Sequence, residues 1–194
     1  MRVVDPKTGT SYFQKRRRRF DEVLSARELT FSCFQHLPLL NRDRTRQWFV
    51  EALKTTLQDW PIDLWAWVIM PEHVHLFVVP HKPNVPIGTF QGEIKEYVAR
   101  RAIKWLEQNS PSWISRLTVR EGNRIRRRFW QPGGGYDRNI DNLGTVEKAI
   151  DYIHMNPVRR GLVERADDWP WSSARWYAGI QPALIEIDRT VPQG

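Results

Sequence analysis

The chain has one cysteine, Cys33, in 194 residues, which excludes an intramolecular disulfide framework and a cysteine-rich zinc site. No run approaches the ~18–20 apolar residues that a membrane helix requires, so no membrane partner is expected. The opening stretch MRVVDPKTGTSYFQKRRRRF places no apolar segment behind its charges, so no secretory signal is expected either. These scarcities point to a reducing, cytoplasmic compartment. Acidic residues are also outnumbered: 22 Asp and Glu against 30 Lys and Arg leave a net charge of +8.

The basic excess is mostly arginine and comes in runs: KRRRR at 15–19, RIRRR at 124–128 and RR at 159–160. A guanidinium can donate two parallel hydrogen bonds to a phosphate. Clustered arginine is therefore the electrostatic footprint of nucleic-acid binding, and two of the runs have Phe or Trp beside them for stacking on bases. A solvated basic surface or a membrane-surface patch is the plainer alternative.

At 194 residues, 41% of them hydrophobic, the chain suffices for one domain with a real core. Residues 1–25 are polar, basic and without periodicity, and are expected to form a flexible arm. RELTFSCFQHL (27–37) reads as a first strand with Leu29, Phe31 and Cys33 on one face. DRTRQWFVEALKTTLQDW (43–60) has helical spacing and is stopped by Pro61. IDLWAWVIM (62–70) and HVHLFVV (73–79) read as a hairpin across the turn Pro71–Glu72. A helix is expected from Ile87 to Asn109, ended by Ser110–Pro111. ISRLTV reads as a possible strand and FWQPGGGYDRNI as a loop whose three glycines imply a flexible or closely approached backbone. A helix then starts near Asn142, with Pro157 and Gly161 marking its end. This order predicts an α+β, ferredoxin-like sandwich on a central antiparallel sheet at 26–178, followed by an irregular tail at 179–194.

In PEHVHLFVVP, strand alternation puts His73 and His75 on one face and Val74, Leu76 and Val78 on the other. The two imidazoles are either accidents of a wet face or two ligands of a metal, which then needs a third. Glu72 is a turn residue or a hydrogen-bond partner for a histidine; the turn is the preferred reading. On the last helix, Val146, Ala149, Ile150 and Ile153 form the buried stripe. Tyr152 and Asn156, four apart, share a face at its edge, with Lys148 one turn earlier, whereas His154 points elsewhere and is discounted as a ligand. Tyr152 is either a reactive phenol or a core-edge aromatic, and Lys148 either a phosphate contact or a solvated lysine. Tyr136, in the glycine-rich loop, is the rival nucleophile.

WAWVIMPEHVHLFV (65–78), the FWQ…YDR segment (129–138) and AIDYIHMNPVRRGLV with DWPWSS (149–173) together resemble the HUH single-tyrosine (Y1) transposases of the IS200 type, and more closely the REP-associated tyrosine transposases. The resemblance spans residues 27–175 and implies the HUH/Y1 transposase fold. It implies Tyr152 as nucleophile and His73, His75 and Asn156 as ligands of Mg²⁺ or Mn²⁺. The activity implied is cleavage and rejoining of hairpin-containing single-stranded DNA through a covalent 5′-phosphotyrosine, in a cytoplasmic, nucleoid-associated protein that is a monomer or homodimer. A domesticated hairpin-DNA binder is the alternative. DNA contacts are expected from Arg16, Arg17, Arg18, Arg19, Arg126, Arg127, Arg128, Trp130, Tyr136 and Lys148.

Overall fold

The computed structural model describes residues 2–4, 11–13, 25–140 and 142–188. Arg16, Arg17, Arg18 and Arg19 lie outside the described residues. Two short N-terminal strands, β1 (Arg2–Val4) and β2 (Ser11–Phe13), pair with each other. The main domain then runs β3 (Ala26–Ser32), α1 (Asp43–Asp59), β4 (Ile62–Ile69), β5 (His73–Pro80), α2 (Ile87–Asn109) and α3 (Pro111–Leu117). It continues with β6 (Thr118–Glu121), β7 (Arg124–Arg127), β8 (Tyr136–Ile140), α4 (Leu143–Arg159) and α5 (Ala174–Tyr177).

The central sheet is antiparallel, in the order β4-β5-β3-β8. Counted along the chain as four strands, that is the 4-1-3-2 order of a ferredoxin-like sheet, as expected. Both of its faces are covered, so the strands read as nearly continuous apolar runs. Leu29, Phe31, Val74, Leu76 and Val78 face α1 and α2, joined by Leu64, Trp67 and Ile69 of β4. The opposite face carries Ala66, Val68 and Phe77, against Val146, Ala149, Ile150 and Ile153 of α4. The buried stripe of α4 is the one its sequence spacing requires. Asn142 caps this helix by accepting a hydrogen bond from the Gly144 amide (2.9 Å).

Three sequence expectations are corrected here. ISRLTV does not form a strand: Pro111 starts a new helix at its first turn, where its missing N–H does no harm, and only from Thr118 does the chain extend. YDRNI is not loop but the edge strand β8, because its backbone finds a partner in β3. Pro157 lies within α4, which continues to Arg159.

Of the glycines at 133–135, Gly135 is the one the fold requires. Its φ is +73°, and a Cβ there would stand 2.1 Å from the Thr30 carbonyl oxygen. The backbone is closely approached at this point, one of the two options the sequence left open.

The outer edge of β4 is covered by the segment containing DWPWSS. Ile69 N donates to Trp171 O (2.9 Å), Ser173 N to Trp67 O (3.0 Å), and the Trp169 indole to Ile69 O (3.0 Å). Further on, Leu64 N donates to Asp188 Oδ2 (2.9 Å), while Ile185 and Ile187 are buried in the α1–α2 layer. The motif thus satisfies an edge that would otherwise expose its hydrogen-bonding groups.

Candidate active site

His73 and His75 leave β5 on the α4 side, as alternation requires, because Val74 and Leu76 are held in the opposite core. Their rings are perpendicular, with Nε2 facing Nε2 at 3.0 Å. Each outer nitrogen has its own anchor. His73 Nδ1 donates to Glu72 Oε1 (3.2 Å), and Glu72 Oε1 also accepts from Arg160 Nη2 (2.8 Å). His75 Nδ1 lies 2.8 Å from Thr30 Oγ1, its neighbour across the β3–β5 ladder. A hydroxyl can donate or accept, so this contact suits either tautomer of His75. Burial, and His73 beside it, push the His75 imidazole down to about 3. Burial also lowers His73, opposed by the neighbouring carboxylate of Glu72. Both rings are therefore neutral near pH 7, the state in which imidazole nitrogen can bind a cation.

Tyr152 reaches the histidines from α4. Its ring is perpendicular to that of His75, with centroids 5.8 Å apart, and it is exposed. The Arg159 guanidinium lies 4.7 Å from the Tyr152 centroid. The pair Arg159–Arg160, one of the basic runs, is thus drawn into the site: one residue lies over the tyrosine and the other holds Glu72. Asn156 is buried one turn beyond Tyr152, its Nδ2 donating to Tyr152 O (2.8 Å), which leaves Oδ1 as its acceptor. His154 faces away, its Nε2 2.8 Å from Ser173 Oγ, and burial pushes it down to about 4.

A cleft of about 620 Å³ opens beside His75 and Tyr152, lined also by Thr30, Tyr136, Arg138 and Lys148. Tyr136 and Lys148 therefore share a cavity with Tyr152. Glu28 joins them from β3; burial raises its carboxyl above the usual range, and Arg138 opposes that.

The remaining expected contacts lie elsewhere. Trp130 is not a surface stacking residue: it is packed edge-on against Phe31 and Phe129, and its indole donates to Lys95 O (2.8 Å). An isolated bridge to Cys33 sets its backbone there. Arg126, Arg127 and Arg128 lie along the hairpin β6–β7 and just beyond it, paired with Glu121, Glu107 and Glu121. Thr30, Glu28 and Arg138 escaped sequence analysis because strand pairing, not spacing, brings them to the cleft. Glu72 is both the turn residue expected and a partner of His73.

No family model matches the chain. An Escherichia coli K12 REP-associated tyrosine transposase is 25% identical, covering 71% of this chain and 68% of its own length. A Haemophilus influenzae protein provisionally named a REP-associated tyrosine transposase is 28% identical over 154 residues, covering 76% of this chain and 82% of its own length. Over most of its length the chain is similar to REP-associated tyrosine transposases. The resemblance read from the motifs therefore holds. A solved REP-associated tyrosine transposase bound to a REP hairpin shares the fold, with a TM-score of 0.66 at 23% identity over 91% of this chain and 93% of that one.

Proposed function

We propose that the chain is a transposase that cleaves and rejoins hairpin-containing single-stranded DNA with Tyr152 as nucleophile. One observation carries this reading: a helix lays an exposed tyrosine beside two histidines whose Nε2 atoms converge at 3.0 Å. Tyr152 attacks phosphorus; the new bond joins its phenolic oxygen to the 5′-phosphate, and the bond to the 3′-oxygen breaks. The electron pair leaves with that oxygen, which takes up a proton as a free 3′-hydroxyl. The phosphotyrosine conserves the bond, so a second 3′-hydroxyl can reverse the step without ATP.

The donor set fits a divalent cation. His73 donates its Nδ1 proton to Glu72, so its Nε2 carries a lone pair; if His75 does likewise toward Thr30, two lone pairs meet at 3.0 Å and call for a positive charge between them. His73, His75 and Asn156 through Oδ1 would hold Mg²⁺ or Mn²⁺. Such an ion polarises a phosphoryl oxygen as a Lewis acid. Lys148 and Arg138 supply positive charge to the same cleft, and Tyr136 a ring for an unpaired base. Because both histidines and Tyr152 come from one chain, a single copy is chemically complete, which favours a monomer over an obligate homodimer. Work on chromosomal DNA would place it with the nucleoid in the cytoplasm.

The test is an adduct assay: labelled hairpin-flanked single-stranded DNA with Mn²⁺, resolved on a denaturing gel. Wild type is expected to form a covalent protein–DNA band and Tyr152→Phe none. A band of equal strength from Tyr152→Phe would overturn the nucleophile. No band with any metal or substrate would leave the protein a hairpin binder.

A further inference from the structure

On the other side of the sheet, two tryptophans have no place in the core. Trp105 near the end of α2 and Trp113 on α3 are half-buried and belong to neither hydrophobic cluster. They line a cleft of about 610 Å³ with Trp48, Asn41, Arg42 and Arg44. Among the described residues no carboxylate lines it. Arg44 lies 3.4 Å from the Trp105 centroid and 5.7 Å from that of Trp48. Its planar guanidinium thus occupies the indole face that another flat, electron-poor group could take. Neither Arg42 nor Arg44 has an ion pair among the described residues; the nearby Asp43 pairs with Arg46. Indole walls beside guanidinium groups free of ion pairs select a flat, uncharged ring with an anionic group attached to it.

We propose that this cleft binds a nucleotide of single-stranded DNA, its base stacked on Trp105 and Trp113 and its phosphate held by Arg42 and Arg44. The base takes the place of the Arg44 guanidinium, which turns to the phosphate. A strand is favoured over a free nucleotide by the surroundings. The hairpin β6–β7 continues directly from α3 and presents exposed Arg120 and Arg124, a basic surface for the next phosphates. The site shares no residue with the histidine cleft and does not depend on strand cleavage.

Ultraviolet crosslinking of a short hairpin-free oligonucleotide carrying 5-bromodeoxyuridine, followed by peptide mapping, tests this directly. Adducts are expected on the peptides bearing Trp105 or Trp113, and equally in Tyr152→Phe. Fluorescence anisotropy with the same strand should show roughly ten-fold weaker binding for Trp105→Ala. Arg44→Ala should weaken binding and flatten its salt dependence, while Trp105→Phe, which keeps an aromatic face, should retain most of the affinity. Should Trp105→Ala fail to fold, the Phe and Arg44 variants and the crosslinks decide. Crosslinks confined to other peptides would overturn the proposal. So would equal competition by thymidine monophosphate, which would make the ligand a free nucleotide, or by polyglutamate, which would make stacking irrelevant. None of these outcomes depends on the adduct assay.

Discussion

His73 Nε2 and His75 Nε2 face each other at 3.0 Å because Glu72 and Thr30 hold the opposite edge of each ring. Glu72 carries the larger share of this arrangement, since the same carboxylate oxygen ties the β4–β5 turn to Arg160 at the end of α4. Removing it frees the His73 ring and the helix end together. Glu72→Ala is expected to lower Mn²⁺ affinity roughly 10–100-fold, read by titration calorimetry, with a smaller loss in Arg160→Ala.

Gly135 governs the other wall of the site. Its positive φ and the approach of the Thr30 carbonyl leave no space for a methyl group. Gly135→Ala should destabilise the protein by about 2–3 kcal/mol in a denaturant titration. It should also displace Thr30, so that Mn²⁺ affinity falls alongside stability.

Arg27 and Asp137 form a bidentate ion pair between β3 and β8, at 2.9 and 2.7 Å, with side chains only 1% and 8% exposed. Asp137→Ala leaves a buried guanidinium without that counter-charge. The expected loss is about 3 kcal/mol by chemical denaturation, far more than an exposed ion pair is worth.

Glu28 gives a pH dependence of the opposite sign to most carboxylates. Burial raises its carboxyl in the folded protein above the ordinary value of 4.5. The native state therefore holds this proton more tightly than the unfolded chain does. The associated stability is fully present below pH 4.5 and is lost as pH rises through the raised value. Glu28→Gln should accordingly be more stable than wild type at pH 7 and lose that advantage toward pH 4, measured by urea unfolding across the range.

Much of the site could be read from residue spacing, because local periodicity is a property of the chain. Alternation along β5 separated His73 and His75 from Val74, Leu76 and Val78. The 3.6-residue period of α4 placed Tyr152 and Asn156 together beside the buried stripe and turned His154 away. What spacing could not supply was the neighbour across a ladder or a layer. Thr30 meets His75 only because β3 and β5 pair in one register, and Arg160 meets Glu72 only because α4 ends over the β4–β5 turn. The same limit explains Trp130: an aromatic beside an arginine run resembles a stacking surface until the backbone bridge to Cys33 carries it into the core. The sequence by itself determined which residues share a face. The tertiary structure alone decided which faces meet, since that depends on strand register and helix packing between segments far apart in the chain.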